Sequence, residues 1–322
     1  MKGYFIMLKI VIVGTGLILS AHLKGLEQLD DCKLVAVCDI NEEKAKASSE
    51  ATGVPYFLNY KDLPANVDFD AAILNLPHGL HCEAAEFFLN AGKHVLVEKP
   101  MANTVEECER MIAAAKKNNK KLAIAHVQRF SPAMQMVKKI YDSGELGKLC
   151  MYTETRTCNY FDDKRPRWFL DKKMAGGGIV MNFGAHALDK LFYVMGDANI
   201  TSIDAQCGNY NNDYTIEGHA QIFAKFDNGV TASVTLSGYT QTGYEACFYF
   251  TNGALKVNGR TLQINRDGAK GFEPVEVGEY NAFTEEIDAF HKYIKEEPNN
   301  IPDGEYGKKV IETIEKIYEN IV

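Results

Sequence analysis

The sequence predicts an α/β chain: a doubly wound parallel sheet first, then an α+β domain on a large, mostly antiparallel, open-faced sheet. Three observations predict it. Through about the first 125 residues, β-rich apolar runs alternate with helical stretches, as in parallel βαβ units. A glycine turn, Gly14-Thr15-Gly16, follows the first of these runs. Three Asn-Gly pairs, at Asn228, Asn252 and Asn258, then separate apolar or alternating runs, and Asn-Gly favours the type I′ turn of a hairpin.

Strands are expected at Leu8 to Val13, Leu34 to Cys38, Asp70 to Leu76, His94 to Val97 and Leu122 to Ala125. Between them lie helices from the glycine turn to about Leu29, Asn41 to Thr52, Glu83 to Ala91 and Thr104 to Lys117. Asn41 is a suitable N-cap, Gly92 a stop, and Thr104 with Glu107 has capping-box spacing. In the second half, Ala220 to Phe226 and Val230 to Leu236 suit antiparallel pairing. Cys247 to Phe250, Ala254 to Val257 and Thr261 to Ile264 would continue the meander, and Tyr306 to Ile321 is an amphipathic helix. Residues 1–127 and 128–322 are the expected domains, and one sheet face is expected to be free to pack on another subunit.

The 322 residues suit two domains, and 46% hydrophobic residues support a substantial core. A formal net charge of -8 argues against nucleic-acid binding through a basic face. Eight scattered cysteines without Cys-x-x-Cys spacing read as reduced thiols of a cytoplasmic protein, with no zinc site. No run approaches the ~20 apolar residues of a membrane span. The opening segment lacks the layout of a signal peptide, and Met1 and Met7 are both possible starts.

Gly14 permits a tight turn, and Gly16 lets the backbone approach a pyrophosphate at the N-terminus of the helix that begins near Leu17. Leu19 stands where the third glycine of the dinucleotide fingerprint would be. Asp39 ends the second strand 23 residues after Gly16, where a carboxylate can accept from ribose hydroxyls. It repels a 2′-phosphate and no arginine follows it, which favours NAD over NADP. Helix capping beside Asn41 is the plainer role for Asp39, and S-adenosylmethionine proteins use a similar layout.

Glu98-Lys99-Pro100 closes the fourth strand, at the carboxyl end where open α/β sheets bind ligands. Pro100 cannot donate a ladder hydrogen bond, so the strand must end there. Farther on, Gly176-Gly177-Gly178 opens a loop leading into a helix with Asn182, His186 and Asp189. Residues four apart share a helical face, and histidine is the natural proton acceptor near neutral pH. A buried histidine capped by Asp189 is the structural alternative.

With these motifs the chain resembles the Gfo/Idh/MocA family, the glucose–fructose oxidoreductase and inositol dehydrogenase relatives. The resemblance spans nearly the whole chain. It rests on Gly14, Gly16, Asp39, Pro77 with His81, Glu98-Lys99-Pro100, Arg129-Phe130 with Pro132, Trp168, the glycine triplet, and Gly184-x-His186 with Asp189. It implies a Rossmann domain and NAD(P)-dependent redox chemistry on a sugar, cyclitol or related polyol.

Lys99 would hydrogen-bond the reacting oxygen and relay its proton, and a neighbouring cationic nicotinamide would favour its neutral form. His186 would be the general base in oxidation and the acid in reduction. Gly14, Thr15, Gly16, Leu17, Asp39, Leu76, Pro77, His81, Glu98, Lys99 and Arg129 are the implied cofactor residues. Trp168 and Tyr160 are candidates for the substrate, as is Asn182. For Arg129 and Trp168 the alternatives are a surface ion pair and a core aromatic. Tyr160, Phe161, Trp168 and Phe169 either stack on a sugar or anchor their loop.

One departure stands out: Asn182 occupies the position where the family usually has Asp. An amide can orient His186 but cannot stabilise its cation. Asn182 is therefore expected to contact substrate hydroxyls while His186 works without a charged partner. The expected assembly is a homodimer or homotetramer. The competing readings are a glycosidase using transient NAD oxidation and a non-catalytic nucleotide-binding regulator.

Overall fold

A computed structural model of the chain describes residues 7–210, 213–266 and 271–320. The segment before Met7 and the expected helix end at Ile321 lie outside the described residues. The chain divides into two compact units, residues 1–127 with 281–309, and residues 128–280 with 310–322.

The first unit holds β1 (Leu8–Val13), β2 (Cys32–Cys38), β3 (Tyr56–Phe57), β4 (Ala71–Leu74), β5 (His94–Glu98) and β6 (Leu122–Ala125). They form one sheet in the order β3-β2-β1-β4-β5-β6, with every pairing parallel. Ile10, Val11, Ile12, Ile73, Leu96 and Ile124 have no exposed surface, as helices on both faces of a parallel sheet require. Strand order reverses between β1 and β4, which makes a crevice at their carboxyl ends.

The helix starts follow local chemistry. Asn41 accepts from the Lys44 amide at the start of Glu42–Thr52, and Thr104 accepts from the Glu107 amide at the start of Val105–Lys117. The Glu107 carboxylate reaches back to the Asn103 amide at 2.9 Å. The first helix, Leu19–Leu26, is shorter than the sequence suggests.

Helix Ala282–Ile294 packs within this unit, although it lies beyond the expected boundary after residue 127. Gly25 makes the packing possible, since a Cβ there would lie 2.9 Å from Phe283. Thr284 Oγ1 donates to the Gly25 carbonyl at 3.2 Å, and His22 meets the Phe283 ring edge-on at 5.0 Å. His291 Nδ1 lies 3.2 Å from Asp31 and 3.6 Å from Cys32 Sγ. These contacts join residues far apart in sequence, which no local pattern announces.

The second unit holds β7 (Leu149–Thr157), β8 (Ile200–Gly208), β9 (His219–Phe226), β10 (Thr231–Ser237), β11 (Tyr244–Phe250), β12 (Gly253–Asn258), β13 (Thr261–Arg266) and β14 (Glu273–Val275). Their order is β14-β13-β12-β11-β7-β10-β9-β8. Strand β7 lies between β10 and β11, parallel to the first and antiparallel to the second, so the expected meander is interrupted. On β7 the covered face carries Tyr152, Glu154 and Arg156, in register with Ala232, Val234 and Leu236 of β10. Polar residues at alternate positions conceal the strand from a search for apolar runs. The opposite face presents Phe223 and Met151 to solvent.

The hairpins form where Asn-Gly occurs, but none uses the expected type I′ turn. Among the described residues only Asn119 and Glu296 have positive φ outside glycine. Gly229 (φ 87°) closes a three-residue loop, with its amide donating to the Phe226 carbonyl. Gly259 (φ 59°) takes the first position of a two-residue loop between Asn258 and Thr261.

Candidate active site

In the first unit, the glycine turn lies at the carboxyl end of β1. Gly14 has φ 95°, and a Cβ there would stand 2.3 Å from the Asn75 carbonyl oxygen just after β4. Gly16 has no atom within 4 Å of an added Cβ, so the space beside it is open. Asp39 braces this turn. Its Oδ2 accepts from the Thr15 amide at 2.8 Å and from Thr15 Oγ1 at 3.0 Å, and its Oδ1 accepts from the Asn41 amide at 2.8 Å. A carboxylate has about four acceptor sites, so it retains capacity for a ribose hydroxyl. Leu17 and Ile40 flank the turn at 82% and 91% exposure. Sequence reasoning named the first and missed the second, although Ile40 follows directly on Asp39. Two apolar side chains in water beside a bare backbone turn and a half-buried acid fit a dinucleotide with a flat apolar base.

At the end of β5, Glu98 Oε1 lies 3.1 Å from His22 Nε2, and Glu98 Oε2 accepts from the Lys99 amide at 3.1 Å. Burial pushes the Glu98 carboxyl up, but His22 and the Lys99 charge outweigh it and hold the group below the usual range. Lys99 is half-buried and the Lys99–Pro100 peptide is cis. Leu76 and Pro77, half-buried, follow β4. The His81 ring sits between the Pro100 carbonyl (2.9 Å from Nδ1) and the Leu76 carbonyl (2.8 Å from Nε2), with no exposed surface. Expected among the cofactor residues, the ring bridges the two strand-end loops. Burial lowers its pKa, against the pull of the carbonyls.

In the second unit, the last two glycines of the triplet are packed tightly. A Cβ on Gly177 would lie 2.0 Å from Tyr318 Oη, and one on Gly178 would lie 2.0 Å from the Glu217 carbonyl oxygen. The Glu217 carboxylate accepts from the amides of Gly178 and Val180 and from Tyr318 Oη at 2.9 Å. Glu217 was not anticipated, because nothing local marks a glutamate that serves a loop so far from it in sequence. A π-helical turn, Val180–Gly184, then leads into helix Ala185–Met195. Such turns are frequent at functional sites. Asn182 Nδ2 donates to Tyr160 Oη at 3.4 Å, and His186 stands at the start of the regular helix. Asn182 and His186 are 5% and 6% exposed.

Asp189 accepts from Arg129 Nε at 3.1 Å and from Arg129 Nη2 in a buried ion pair. Arg129 is thus buried and not in a surface ion pair. Tyr160 has no exposed surface and its ring meets Phe183 edge-on at 5.8 Å, so it is not a platform open to a sugar. Trp168 stacks on Phe169 with ring centroids 3.7 Å apart.

A buried charge network that the sequence did not reveal lies on the covered face of the sheet. Lys190 Nζ donates to Glu154 Oε1 at 2.9 Å and to Gln128 Oε1 at 3.2 Å, and Tyr152 Oη donates to Glu154 Oε2. Burial alone would lower the Lys190 pKa, but Glu154 raises it.

Residues 8–126 match the family model described as an oxidoreductase family with an NAD-binding Rossmann fold, and residues 134–260 match the GFO/IDH/MocA C-terminal domain. The 1-carboxy-3-chloro-3,4-dihydroxycyclo hexa-1,5-diene dehydrogenase of Comamonas testosteroni is 32% identical over 235 residues, 72% of this chain and 58% of that protein. The match thus spans under two thirds of that relative. The D-glucoside 3-dehydrogenase of Escherichia coli (strain K12) is 26% identical over 338 residues, covering 97% of this chain and 95% of that one. The crystal structure of aldose-aldose oxidoreductase from Caulobacter crescentus, complexed with glycerol, superimposes with a TM-score of 0.89 at 25% identity, covering 98% and 97% of the two chains.

Proposed function

We propose, since this chain belongs to the Gfo/Idh/MocA family of oxidoreductases and carries its NAD-binding Rossmann fold, that it moves a hydride between nicotinamide and a secondary alcohol of a sugar, cyclitol or related polyol. The observation that carries the reading is the open Gly16 backbone beside the braced Asp39 carboxylate, in a chain that also keeps Lys99 and His186. Relatives named as dehydrogenases of a dihydroxylated ring and of a glucoside support it.

NAD, when bound, supplies the hydride acceptor. Gly14, Thr15 and Gly16 offer backbone to its pyrophosphate, Asp39 accepts from its ribose, and Leu17 and Ile40 cover its base. Leu76, Pro77 and Glu98 line the nicotinamide end. Lys99 hydrogen-bonds the reacting alcohol oxygen and carries its proton. His186 is the general base in oxidation and returns the proton in reduction. Asn182, anchored on Tyr160, orients the substrate hydroxyls. Positioning and proton transfer are the protein's share of the rate.

The assembly in this reading is a homodimer or homotetramer through the sheet face that bears Phe223 and Met151, in a cytoplasmic setting that keeps the free cysteines reduced. Light scattering on the purified protein tests the assembly. Incubating the protein with NAD and a panel of polyols and sugars, and following NADH by ultraviolet absorbance, tests the function. NADH formation on at least one cyclic polyol is expected, and NAD binding with no turnover across the panel would sink the reading.

A further inference from the structure

The second unit holds two guanidinium groups that make no ion pair among the described residues. Arg156, on β7, stacks its guanidinium over the Phe183 ring at 4.0 Å, and Arg165 stacks over the Tyr160 ring at 4.1 Å and faces Phe169 at 5.1 Å. The Phe183 and Tyr160 rings touch each other, and Tyr160 also holds Asn182 through its hydroxyl. Both guanidinium groups therefore rest on the aromatic pair around Asn182, one turn before His186.

Among the described residues neither arginine side chain makes a hydrogen bond or an ion pair with protein, and Arg156 Nη1 and Arg165 Nε are shielded from solvent. The neighbouring acid, Glu154, is already engaged by Lys190 and Tyr152. Asp163, near Arg165 in sequence, lies beside Arg167 at 3.8 Å. The cluster thus carries an excess of positive charge, and burial lowers the Arg156 pKa against the pull of Glu154, as for a cation short of partners. Burial raises the pKa of the Cys158 thiol, two residues after Arg156, and the charges of both arginines oppose that rise.

Aromatic rings cover the guanidinium faces, which leaves the edges with their N–H groups to bind. A planar anion with two oxygens matches such an edge. We propose that Arg156 and Arg165 form a carboxylate subsite, so that the alcohol this protein oxidises belongs to an acidic sugar or a carboxylated cyclitol. The inference rests on the dehydrogenase reading above for its substrate, but the anion site is testable by binding alone.

The test is calorimetric titration of the NADH-loaded protein with matched pairs, quinate against myo-inositol and glucuronate against glucose, with glucose 6-phosphate as a third arm. Each acid should bind about ten-fold or more tightly than its neutral partner, as for a charge-assisted pair. Arg156→Gln and Arg165→Gln should each pull the acid-to-neutral ratio towards one, and Arg165→Lys should keep part of it. The wild-type ratio needs no variant, and the melting temperature of each variant shows whether it has folded. Equal or tighter binding of the neutral partners, no detectable binding of either acid, or strongest binding of the phosphate ester would overturn the carboxylate subsite. Failure to bind NADH in the same titration would instead strike the dehydrogenase reading.

Discussion

Gly14 and Gly16 in the first unit, and Gly176 to Gly178 in the second, both stand between an extended segment and a helix. They differ in what occupies the space next to them. Beside Gly16 the space is empty, while the space beside Gly177 and Gly178 is filled by Tyr318 and Glu217. The same residue type keeps room for a ligand in one place and lets the protein close upon itself in the other. The contrast extends to the charged groups. Asp39 is braced by two backbone amides and one hydroxyl and stays half-buried, whereas Glu154 and Lys190 are buried at 1% and 0% exposure and bind each other. In the first unit the site residues are held by the main chain. In the second, the elements around the site are held by buried side chains.

Substitutions at the open glycine turn and at Lys99 should therefore change function, and those in the packed network around Gly178 and Glu154 should change stability. The largest effect is expected for Lys99→Ala, with turnover falling by about 10³ while NAD affinity and melting temperature hold. Steady-state kinetics and a fluorescence titration would show it, and normal turnover would remove Lys99 from the chemistry. Next is Glu154→Gln, which strands the Lys190 charge and should cost about 3–5 kcal/mol in urea unfolding. A loss under about 1 kcal/mol would mean that the network is not what holds this unit. Third, Gly178→Ala should destabilise by about 1–3 kcal/mol, while Gly16→Ala should leave the melting temperature alone and weaken NAD binding. The reverse pattern would break the comparison outright.

Asn182→Ala offers a finer measurement, since an orienting amide should change kcat/KM, and unchanged constants would remove Asn182 from the site. The smallest effects are in acid. His81 is held with a lowered pKa, so below about pH 6.5 the unfolded state takes up a proton first and stability falls. Glu98 also has a lowered pKa. Its contribution is complete above about pH 4.5 and is lost as pH falls through the folded value. A profile of melting temperature against pH should be flatter near pH 4 in Glu98→Gln and near pH 6 in His81→Asn.

The parts legible in the sequence were those with a local cause. The parallel strands are continuous apolar runs, Asn41 and Thr104 cap helices by their own side chains, and the turn at Gly14 declares itself. Strand β7 was missed because its covered face carries Tyr152, Glu154 and Arg156 instead of aliphatic residues. Glu217 could not be picked out, because its partners, like the buried settings of Arg129 and His81, are made only in the fold. Ile40 could have been found, since an isoleucine directly after a strand-end acid has no core to enter.

The helix that begins at Ala282 completes the unit begun by β1. Phe283 lies against Gly25, Thr284 binds its carbonyl, the Pro302 carbonyl receives the Ile124 amide, and Gly304 and Gly307 pack closely on Ile112 and Ile124. The nucleotide module is therefore not a portable cassette. A fragment ending at Val127 would carry the glycine turn, Asp39 and Glu98-Lys99-Pro100, yet would expose the flank that residues 281–309 cover. Grafting that fragment onto another protein would transfer the vocabulary of the site without the buttress that keeps its first helix in position.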